Sequence, residues 1–581
     1  MGEYLAPGVY IEEVSMGAKP IEGVSTSTAG FVGVTGLLQK IPKFPISFTL
    51  LEENVILPSS TNTNIQTKIT VLSNLLKTEL TTIEKYYSFS DDVDTAVAAI
   101  KTADTNNLVP ENAWLAIHET VNIAKYKVRK FGEENTNAFL ANDLPSNGNI
   151  QTEINALKAV LVKKLDTEND YSSFSDDVDA AVDKIKTKAD TFTIPDKKEK
   201  ALRDLSIIKE LANTSKIKVK RIKTRIDEEI SLYKKHKDKP TFISSWGDYV
   251  SKFGRYTDGN YLAPAVYSFF ANGGKRCYVV IVEDNEKAKI IGTVDTDKNR
   301  TGLQALEEID DVSIVCIPGI IDNTVQQAMI IHCENMGDRF CIFDSSKGES
   351  FDNIKIRKDN LNSEKGIGAL YYPWVKTAVE KKNTEGKVVL ENMLIPPSGA
   401  MAGIYARSDT ERGVHKAPAN EVVRGVTEVE RTITKAEQDV LNPLNINCIR
   451  AFQGRGIRIW GARTIAPKDS EWKYINVRRL FLFLEESIDE STQWVVFEPN
   501  NEALWARVVQ TVSNFLLGVW KSGALMGTSP EEAFFVKCDR STMTQDDIDN
   551  GRLIVLIGIA PTKPAEFVIF KIGQWTADSS N

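Results

Sequence analysis

Histidine and cysteine are the side chains in this 581-residue chain whose chemistry would be easiest to recognise, as a general base, a nucleophile or a metal ligand. None of the four histidines has a partner at a diagnostic spacing. The helical pattern places His118 and His236 on polar faces. His332 falls inside a predicted helix without zinc-ligand spacing to the nearby cysteines, and His415 falls in a predicted loop. We therefore predict no catalytic or metal-binding role for any of them.

Motifs for nucleotide binding and acyl transfer are missing from the sequence. It has no glycine loop ending in Lys-Ser or Lys-Thr and no Gly-x-Ser-x-Gly elbow. Residues 454–461 (GRGIRIWG) are similar to a dinucleotide fingerprint, but Ile459 and Trp460 stand near the place of the third glycine, so we predict a strand with close backbone contact. Adjacent carboxylates such as Glu485 and Glu486 point to different faces. The sequence therefore predicts neither an enzyme nor a cofactor.

Composition sets further limits. The chain is 42% hydrophobic and 26% charged with a formal net charge of -8, which argues against binding nucleic acid or anionic membranes through bulk charge. No run approaches the roughly 18 apolar residues of a membrane span, and the start lacks a secretion signal, so we expect folding in the cytoplasm. The cysteines lie in apolar surroundings and are predicted to be buried and free: Cys277, Cys316, Cys333, Cys341, Cys448 and Cys538.

The spacing of apolar residues changes along the chain and divides it into several regions. At roughly 150 residues per domain, the length suggests about three or four domains. Between about residues 41 and 240, apolar residues recur at helical spacing and the sequence repeats at an offset of 85 positions, so that residues 88–94 (SFSDDVD) recur at 173–179. The two copies, about 61–145 and 146–230, predict a duplicated helical bundle with about three helices in each copy.

The second helix of each copy is predicted to begin at a serine. In the first copy this is Ser90, which would cap the helix and place Asp91 and Asp92 in its first turn. The same acidic cluster could suggest a calcium site, but it lacks the glycine and the closing glutamate of a helix-loop-helix site. We therefore favour a structural role for these carboxylates.

From about residue 241, buried strands alternate with helices, which predicts an α/β layered domain. Toward the carboxyl end an apolar stripe predicts one long amphipathic helix, followed by two strands. The expected elements are strands at 277–282, 313–317, 340–344, 553–559 and 567–572 and helices at 324–335 and 501–521.

Residues 7–14 (PGVYIEEV) form an extended-looking run near the amino terminus. A lone strand is not stable in water, because its backbone groups need hydrogen-bond partners and its apolar residues need cover. Some sheet edge must therefore accept this segment, either in the same chain or in another copy.

Long runs of the sequence resemble contractile tail sheath proteins, which are found in contractile phage tails and in phage-derived extracellular injection particles. The similarity covers residues 1 to about 40 and 241–581, and it does not extend to the duplicated helical region. The matching runs are 7–14 (PGVYIEEV), 20–33 (PIEGVSTSTAGFVG), 261–266 (YLAPAV), 272–274 (NGG), 396–399 (PPSG), 403–407 (GIYAR), 416–420 (KAPAN), 454–457 (GRGI), 472–481 (WKYINVRRLF), 494–500 (WVVFEPN) and 564–569 (PAEFVI).

The resemblance implies a fold class, an α/β (α+β) multidomain sheath core with terminal strand-exchange arms, plus an inserted all-helical duplicated domain. The implied domains are an arm with the first core strands (1–40), the insertion (41–240), a middle domain (241–440) and a carboxyl-terminal domain facing an inner tube (441–581). The residues implied to lie in inter-subunit strand arms are Val9, Tyr10, Ile11, Glu12, Glu13, Val14, Phe567, Val568, Ile569 and Phe570. Arg507 and Lys521 are possible tube-facing contacts.

The implied partners are further copies of the chain in a helical sheath of stacked six-membered rings, an inner tube protein, and baseplate and terminator or cap proteins. Direct nucleic-acid binding and membrane insertion are not expected. The particle would assemble in the cytoplasm and be released or anchored to a cell envelope. We favour an extracellular or cell-anchored injection system over a phage virion. An adhesin-like module has some support from the duplicated helices, and an α/β hydrolase-like enzyme using residues 241–440 stays a remote alternative, because no nucleophile, base and orienting group can be named.

Overall fold

The computed structural model describes residues 20–37, 39, 62–77, 83–104, 144–161, 167–257, 259–297, 299–382 and 388–569, with scattered positions between 109 and 125 and at 163 and 165. The chain divides into two compact units. The sheet unit comprises Met1–Gly36, His236–Lys381 and Leu390–Asn581, and the helical unit comprises Leu37–Lys235 and Lys382–Val389. The predicted arm residues 9–14 and Phe570 lie outside the described residues.

The strands of the described residues are β1 (Ala29–Val34), β2 (Thr241–Ile243), β3 (Cys277–Val282), β4 (Ile314–Cys316), β5 (Phe340–Asp344), β6 (Ala369–Tyr372), β7 (Val375–Lys382), β8 (Val388–Ile395), β9 (Val426–Val429), β10 (Ile446–Phe452), β11 (Gly456–Trp460), β12 (Phe534–Lys537) and β13 (Leu556–Ile559). Among the described residues, the α-helices with defined bounds are α1 (Thr63–Lys77), α2 (Ile83–Ala103), α3 (Gln151–Leu161), α4 (Glu168–Asp190), α5 (Pro195–His236), α6 (Trp246–Phe253), α7 (Leu262–Ala271), α8 (Lys287–Ile291), α9 (Asn323–Met336), α10 (Phe351–Asp359), α11 (Ser398–Arg412), α12 (Lys435–Leu441), α13 (Ile475–Thr492), α14 (Glu502–Lys521), α15 (Pro530–Ala533) and α16 (Gln545–Asp549). Short 3-10 helices cover Gly302–Glu308, Asn442–Leu444, Glu471–Lys473 and Gln493–Val495.

The sheet unit is built on an eight-stranded sheet in the order β11-β10-β6-β5-β4-β1-β3-β2. Its six inner strands are parallel, and the two edge strands run antiparallel to their neighbours. β1 lies near the middle of the sheet and pairs along its whole length with β3, from Ala29 beside Cys277 to Val34 beside Val282. The predicted strands 277–282 and 340–344 are confirmed, and β10 and β11 extend this sheet beyond the predicted domain boundary at residue 440.

Burial on both faces explains why these strands are nearly continuous apolar runs. Every residue of β4 and β5 is buried, as is expected for parallel strands covered by helices on both sides. Helices α7 and α11 pack closely because glycines in α11 allow their backbones to approach. A Cβ atom at Gly399 would lie only 2.2 Å from the carbonyl oxygen of Ala265. The PPSG run in the sequence therefore marks a helix–helix contact.

The carboxyl-terminal part of the sheet unit packs α13, α14 and the β12–β13 pair around one apolar cluster. α14 contributes a buried stripe to it, and the predicted helix over 501–521 is confirmed. The strand expected at 553–559 forms only over Leu556–Ile559. No strand is assigned to the described part of the run expected at 567–572. A separate three-stranded sheet has the order β8-β7-β9.

The helical unit contains two apolar clusters, one for each sequence copy. Ile65 and Phe89 are buried in the first cluster, and their equivalents 85 positions later, Ile150 and Phe174, are buried in the second. The prediction that the second helix begins at Ser90 is wrong, because α2 begins at Ile83 and includes Ser90. In the second copy Thr167 caps α4 instead, and this earlier start lets the helix bury its phenylalanine on the same face as the following valine.

The structure also places the chemically reactive side chains. All six cysteines are buried, as predicted. His236 is buried rather than on a polar face, because its ring contacts Phe253 and its Nδ1 lies 3.0 Å from the Thr241 hydroxyl. His332 is also buried inside α9, where burial and the nearby Arg339 lower its pKa to about 3. Both histidines are therefore part of the packed interior.

Candidate functional site

Two segments of the sheet unit lead toward the chain ends and are held by arginine–carboxylate pairs. We name residues 20–28 the amino-terminal root and residues 561–566 the carboxyl-terminal root. The amino-terminal root lies against α13, which carries Arg479. The carboxyl-terminal root lies against the loop between β11 and α13, which carries Arg463. Each root is therefore anchored to the body close to a limit of the described residues.

The amino-terminal root is held through its backbone and a hydroxyl group. Arg479 forms two hydrogen bonds to the Asp409 carboxylate, at 2.9 and 2.7 Å, and its Nη2 also donates to the carbonyl oxygen of Thr26 at 2.7 Å. The Thr26 hydroxyl donates to Asp409 at 2.7 Å. Both charged side chains are buried, at 4% and 6% exposure. The pair can keep its charges there because each is satisfied by more than one hydrogen bond.

An aromatic ring lies against the arginine of this pair. The Arg479 guanidinium lies 4.7 Å from the centre of the Tyr405 ring. Burial alone would lower the pKa of Arg479, but Asp409 outweighs it and the net shift is upward. Further along the root, the Val24 amide donates to the Ser487 hydroxyl at 3.1 Å. The root thus runs along α13 before it enters β1.

The carboxyl-terminal root is held by its own carboxylate. Glu566 accepts two parallel hydrogen bonds from Arg463, each of 2.8 Å, which is the bidentate geometry that guanidinium groups favour. It accepts two more, from the Asn442 amide at 2.7 Å and the Tyr474 hydroxyl at 3.1 Å. Burial alone would raise the pKa of Glu566, but these donors, Arg463 first, lower it below its usual range. Glu566 therefore stays ionised and tightly held at neutral pH.

The three described residues that follow Glu566 are exposed to solvent. Phe567, Val568 and Ile569 are 72%, 69% and 80% exposed. Three consecutive exposed apolar side chains are unusual on a protein surface, and they follow directly on the most strongly bonded residue of the root. The geometry is that of a fixed base with an apolar segment leading away from it.

A two-stranded sheet in the same unit has unpaired edges. In the described part of the chain, β12 and β13 pair only with each other, antiparallel from Phe534 beside Ile559 to Lys537 beside Leu556. Phe535 and Leu556 are each 53% exposed. A pair of strands with both edges open and apolar residues in water can accept further strands on either side.

The two predicted tube-facing residues lie on α14 and differ in surroundings. Arg507 is already paired, with Glu498 at 3.2 Å, and its guanidinium lies 5.2 Å from the centre of the Trp494 ring. Lys521 is exposed at the carboxyl end of the helix. They are separated by about 20 Å along the helix, at 1.5 Å per residue. The structure does not bring them together into one site.

The sheet unit holds one buried carboxylate at the carboxyl end of a central strand, Asp344. Burial raises its pKa to about 6, against hydrogen bonds that lower it. Its oxygens accept from the Ser398 amide and hydroxyl, at 2.8 and 2.7 Å, and from the Gly319 amide at 3.1 Å. Asp344 is therefore occupied in holding the start of α11. Among the described residues no cluster of three metal-ligating side chains occurs, and no helix is long and apolar enough to span a bilayer.

The comparisons with known proteins bear on this arrangement. Residues 292–465 match the family model described as the phage tail sheath protein central domain, and residues 467–574 match the phage tail sheath C-terminal domain. A solved sheath, the PVC sheath complex of an extracellular contractile injection system in its contracted state, is 34% identical, and the similarity covers 59% of this chain and 88% of that one, with a TM-score of 0.49. The chain belongs to the phage tail sheath family.

Two curated relatives of this sheath chain come from phages. The tail sheath protein of Burkholderia phage BcepMu is 26% identical over 305 residues, which is 49% of this chain and 61% of that protein. The tail sheath protein of Vibrio phage KVP40 is 25% identical over 191 residues. That match spans 32% of this chain and only 28% of the phage protein. These relatives are structural sheath proteins and not enzymes.

Sequence reasoning missed the residues that hold the two roots. The sequence pattern marks Glu566 only as part of the run 564–569, and it does not mark Arg463, Asp409 or Arg479 individually. One local signal exists, because Arg479 lies four residues after Ile475 and four before Phe483, on a face of α13 where apolar residues would be expected. An arginine at such a position needs a buried partner, and that requirement could have identified it.

Proposed function

We propose that this chain is the force-generating structural subunit of a contractile sheath that assembles around an inner tube. In this proposal copies stack as six-membered rings, and the terminal arms add strands to the carboxyl-terminal sheets of neighbouring copies. The observation that carries the proposal is the carboxyl-terminal root, where Glu566 is bonded four times and the next three apolar residues lie in water.

The open β12–β13 pair is the natural acceptor for these arms. Residues 567–570 would leave the body at Glu566 and pair with the edge of that sheet in another copy, and residues 9–14 would do the same from the amino-terminal root. The exposed Phe535 and Leu556 of the pair would then be covered by the added strands. Both roots would carry tension from the arm into the packed body through their arginines.

The energies favour arms that stay connected. About five backbone hydrogen bonds at roughly 1 kcal/mol each, with burial of Val9, Ile11 and Val14 at roughly 1.5–3 kcal/mol each, give on the order of 10 kcal/mol per arm before ordering costs. Surface ion pairs between subunit bodies contribute only about 0–1 kcal/mol each. Body contacts can therefore exchange while the strand mesh holds.

Contraction follows from the difference between the strong strand links and the weak contacts of the subunit bodies. The extended lattice would be a metastable state held by its tube and baseplate, and on release the bodies would rotate outward into a larger set of lateral contacts. Interface energy summed over many copies would then drive the tube through a target envelope. No nucleotide is needed at the moment of firing. Contacts that do not close into a dimer are what a helical filament requires.

The remaining parts receive roles in the same proposal. The carboxyl-terminal domain, residues 441–581, would face the tube, and the helical region, residues 41–240, would lie on the outer surface. We favour an extracellular or cell-anchored injection system, with a phage virion as the alternative. The PVC sheath belongs to an extracellular contractile injection system, whereas the BcepMu and KVP40 sheath proteins belong to phages.

Removal of residues 1–20 tests the proposal. The shortened chain should fold, since it keeps β1 and the sheet, but it should form no long striated tubes by negative-stain microscopy. A finer version changes Val9, Ile11 and Val14 together to Ser, with Glu12 and Glu13 changed to Gln as the matched control that keeps the apolar side chains. Normal sheaths from the shortened chain would refute the proposal.

A further inference from the structure

A cleft of about 280 Å³ lies beside the amino-terminal root, between α13 and the loops that lead into β4 and β5. Residues 24–26 of the root line one side of it. Carboxylates come from each of the other elements: Asp310 and Asp311 before β4, Asp338 before β5, and Glu486 and Glu490 on α13. The cleft therefore gathers negative charge at the place where the root meets α13.

The two arginines that also line this cleft are already engaged. Arg276 pairs with Asp311 at 3.3 Å, and Arg479 pairs with Asp409 at 2.7 Å. In the described part of the chain, three carboxylates of the cleft form no ion pair: Asp310, Glu486 and Glu490. Their mutual repulsion is therefore not balanced by a cationic side chain of the same cleft.

The wall opposite α13 is fixed by a buried arginine. Arg339 donates to both oxygens of the Asp338 carboxylate, at 2.6 and 2.8 Å. It also donates to the carbonyl oxygens of Leu306, at 3.0 Å, and Ile309, at 3.1 Å. Ile309 directly precedes Asp310, so the backbone that carries this carboxylate is held in place. Because the wall cannot move away, the repulsion can be relieved by uptake of a proton or by movement of α13.

Glu486 is the group in the cleft that responds to this charge. Burial, followed by the nearby carboxylates, raises the pKa of Glu486 to about 6. Those carboxylates are, in order, Asp338, Glu490, Asp489 and Asp310. The next residue of α13, Ser487, accepts a hydrogen bond from the Val24 amide at 3.1 Å. The charge on Glu486 therefore changes directly beside a bond that joins the root to the helix.

We propose that this cleft is a pH-sensitive switch that holds the amino-terminal root in acid and loosens it at neutral pH. Neutral Glu486 removes the repulsion across the cleft and can donate a hydrogen bond to a neighbouring carboxylate, so α13 packs against the wall. Ionised Glu486 is repelled from that wall, and the root bonded to Ser487 loses support. The inference concerns the single chain and does not depend on the proposed function.

The sign of the pH dependence follows from the direction of the pKa shift. The folded pKa of Glu486, about 6, lies above the value of a free glutamate, about 4.3. The stabilisation is therefore complete below about pH 4.3 and is lost as the pH rises through about 6. Glu566 at the carboxyl-terminal root has the opposite shift, so acid should act in opposite directions on the two roots.

Amide hydrogen exchange at Val24 tests the switch in the full single chain. After correction for the intrinsic rate, exchange should be about three- to tenfold slower at about pH 5 than at about pH 7.5, since Glu486 is partly exposed and solvent screens part of the effect. Thr562 in the carboxyl-terminal root is the internal control. Its amide donates to the Ala524 carbonyl oxygen and should not slow in this range, because Glu566 stays ionised.

Two variants separate Glu486 from its neighbours. Glu486→Gln is neutral at every pH, so Val24 should exchange slowly at both pH values, and the midpoint of denaturant unfolding at pH 7.5 should not fall. Glu485→Gln, at an exposed position that pairs with Arg478, should keep the wild-type pH response. An equal Val24 rate at both pH values in the wild-type chain, the same pH response in Glu486→Gln, or a lower unfolding midpoint for that variant would overturn the proposal.

Discussion

The two roots of the sheet unit are both held by an arginine and a carboxylate, but in different ways. At the amino-terminal root, Arg479 and Asp409 both belong to the body, and the root contributes only the Thr26 carbonyl oxygen and hydroxyl. At the carboxyl-terminal root, the carboxylate is the root's own Glu566. The first pair is therefore part of the core whether or not an arm is pulled, whereas the second can be released by changing one side chain of the root.

Loss of Arg479 should have the largest effect. Arg479→Ala leaves Asp409 buried without its partner, and breaking a buried pair in this way costs about 3–5 kcal/mol. Denaturant unfolding should show this loss for the whole sheet unit. Arg507→Ala, at a 36% exposed site, serves as the control arginine. A loss below 1 kcal/mol for Arg479→Ala would show that the amino-terminal root does not depend on this pair.

Loss of the Glu566 charge should act locally. Glu566→Gln removes the bidentate pairing with Arg463 and should lower the free energy of opening the carboxyl-terminal root by about 1.5–3 kcal/mol, the range for hydrogen bonds to charged groups. Amide hydrogen exchange at Thr562, whose amide donates to the Ala524 carbonyl oxygen, reports that opening. Global unfolding should change little. Glu498→Gln is the control. Equal exchange rates at Thr562 in Glu566→Gln and Glu498→Gln would show that Glu566 does not hold the carboxyl-terminal root.

Acid should release the carboxyl-terminal root. Because the pKa of folded Glu566 lies below that of a free glutamate, about 4.3, the root's stabilisation is complete above that value and is lost as the pH falls through the folded pKa. Exchange at Thr562 should be constant from about pH 8 to 5, apart from the intrinsic rate, and faster below about pH 4. Glu566→Gln should lack this change, and an identical profile in the variant would contradict the assignment.

The exposed ion pair between Arg507 of α14 and Glu498 of the preceding loop should matter least for stability. Arg507 and Glu498 are 36% and 43% exposed, so Arg507→Ala should change the free energy of unfolding by less than about 1 kcal/mol. Reversing the charges of Arg507 and Lys521 tests the separate prediction that they contact the tube. Unchanged co-assembly with the tube after both reversals would remove that prediction.

Local patterns in the sequence were enough to find the elements that use only neighbouring residues. β3 and β5 were predicted with their observed bounds, because an apolar run buried on both faces is visible in the sequence itself. The 85-residue repeat is also visible in the sequence, but the packing of its helices is not. Ile117 is buried in the first copy, whereas Leu202, 85 positions later, is 42% exposed, because burial depends on the neighbours that each helix meets.

The site could not be predicted because its partners are distant in the sequence. Arg463 and Glu566 are 103 residues apart, and Arg479 and Asp409 are 70 residues apart. No spacing rule joins such residues, and only the folded sheet brings them together. The same holds for β1, which pairs with a strand almost 250 residues away and owes its place to the sheet rather than to its own six residues.

The central claim is that both arms are completed by other copies of the chain. Amide hydrogen exchange of residues 7–14 and 567–570, measured on the single chain and on assembled sheath, tests it most directly. We expect rapid exchange in the single chain and strong protection in the sheath, because the added strands are hydrogen-bonded only there. Equal protection of these residues in both states would contradict the account.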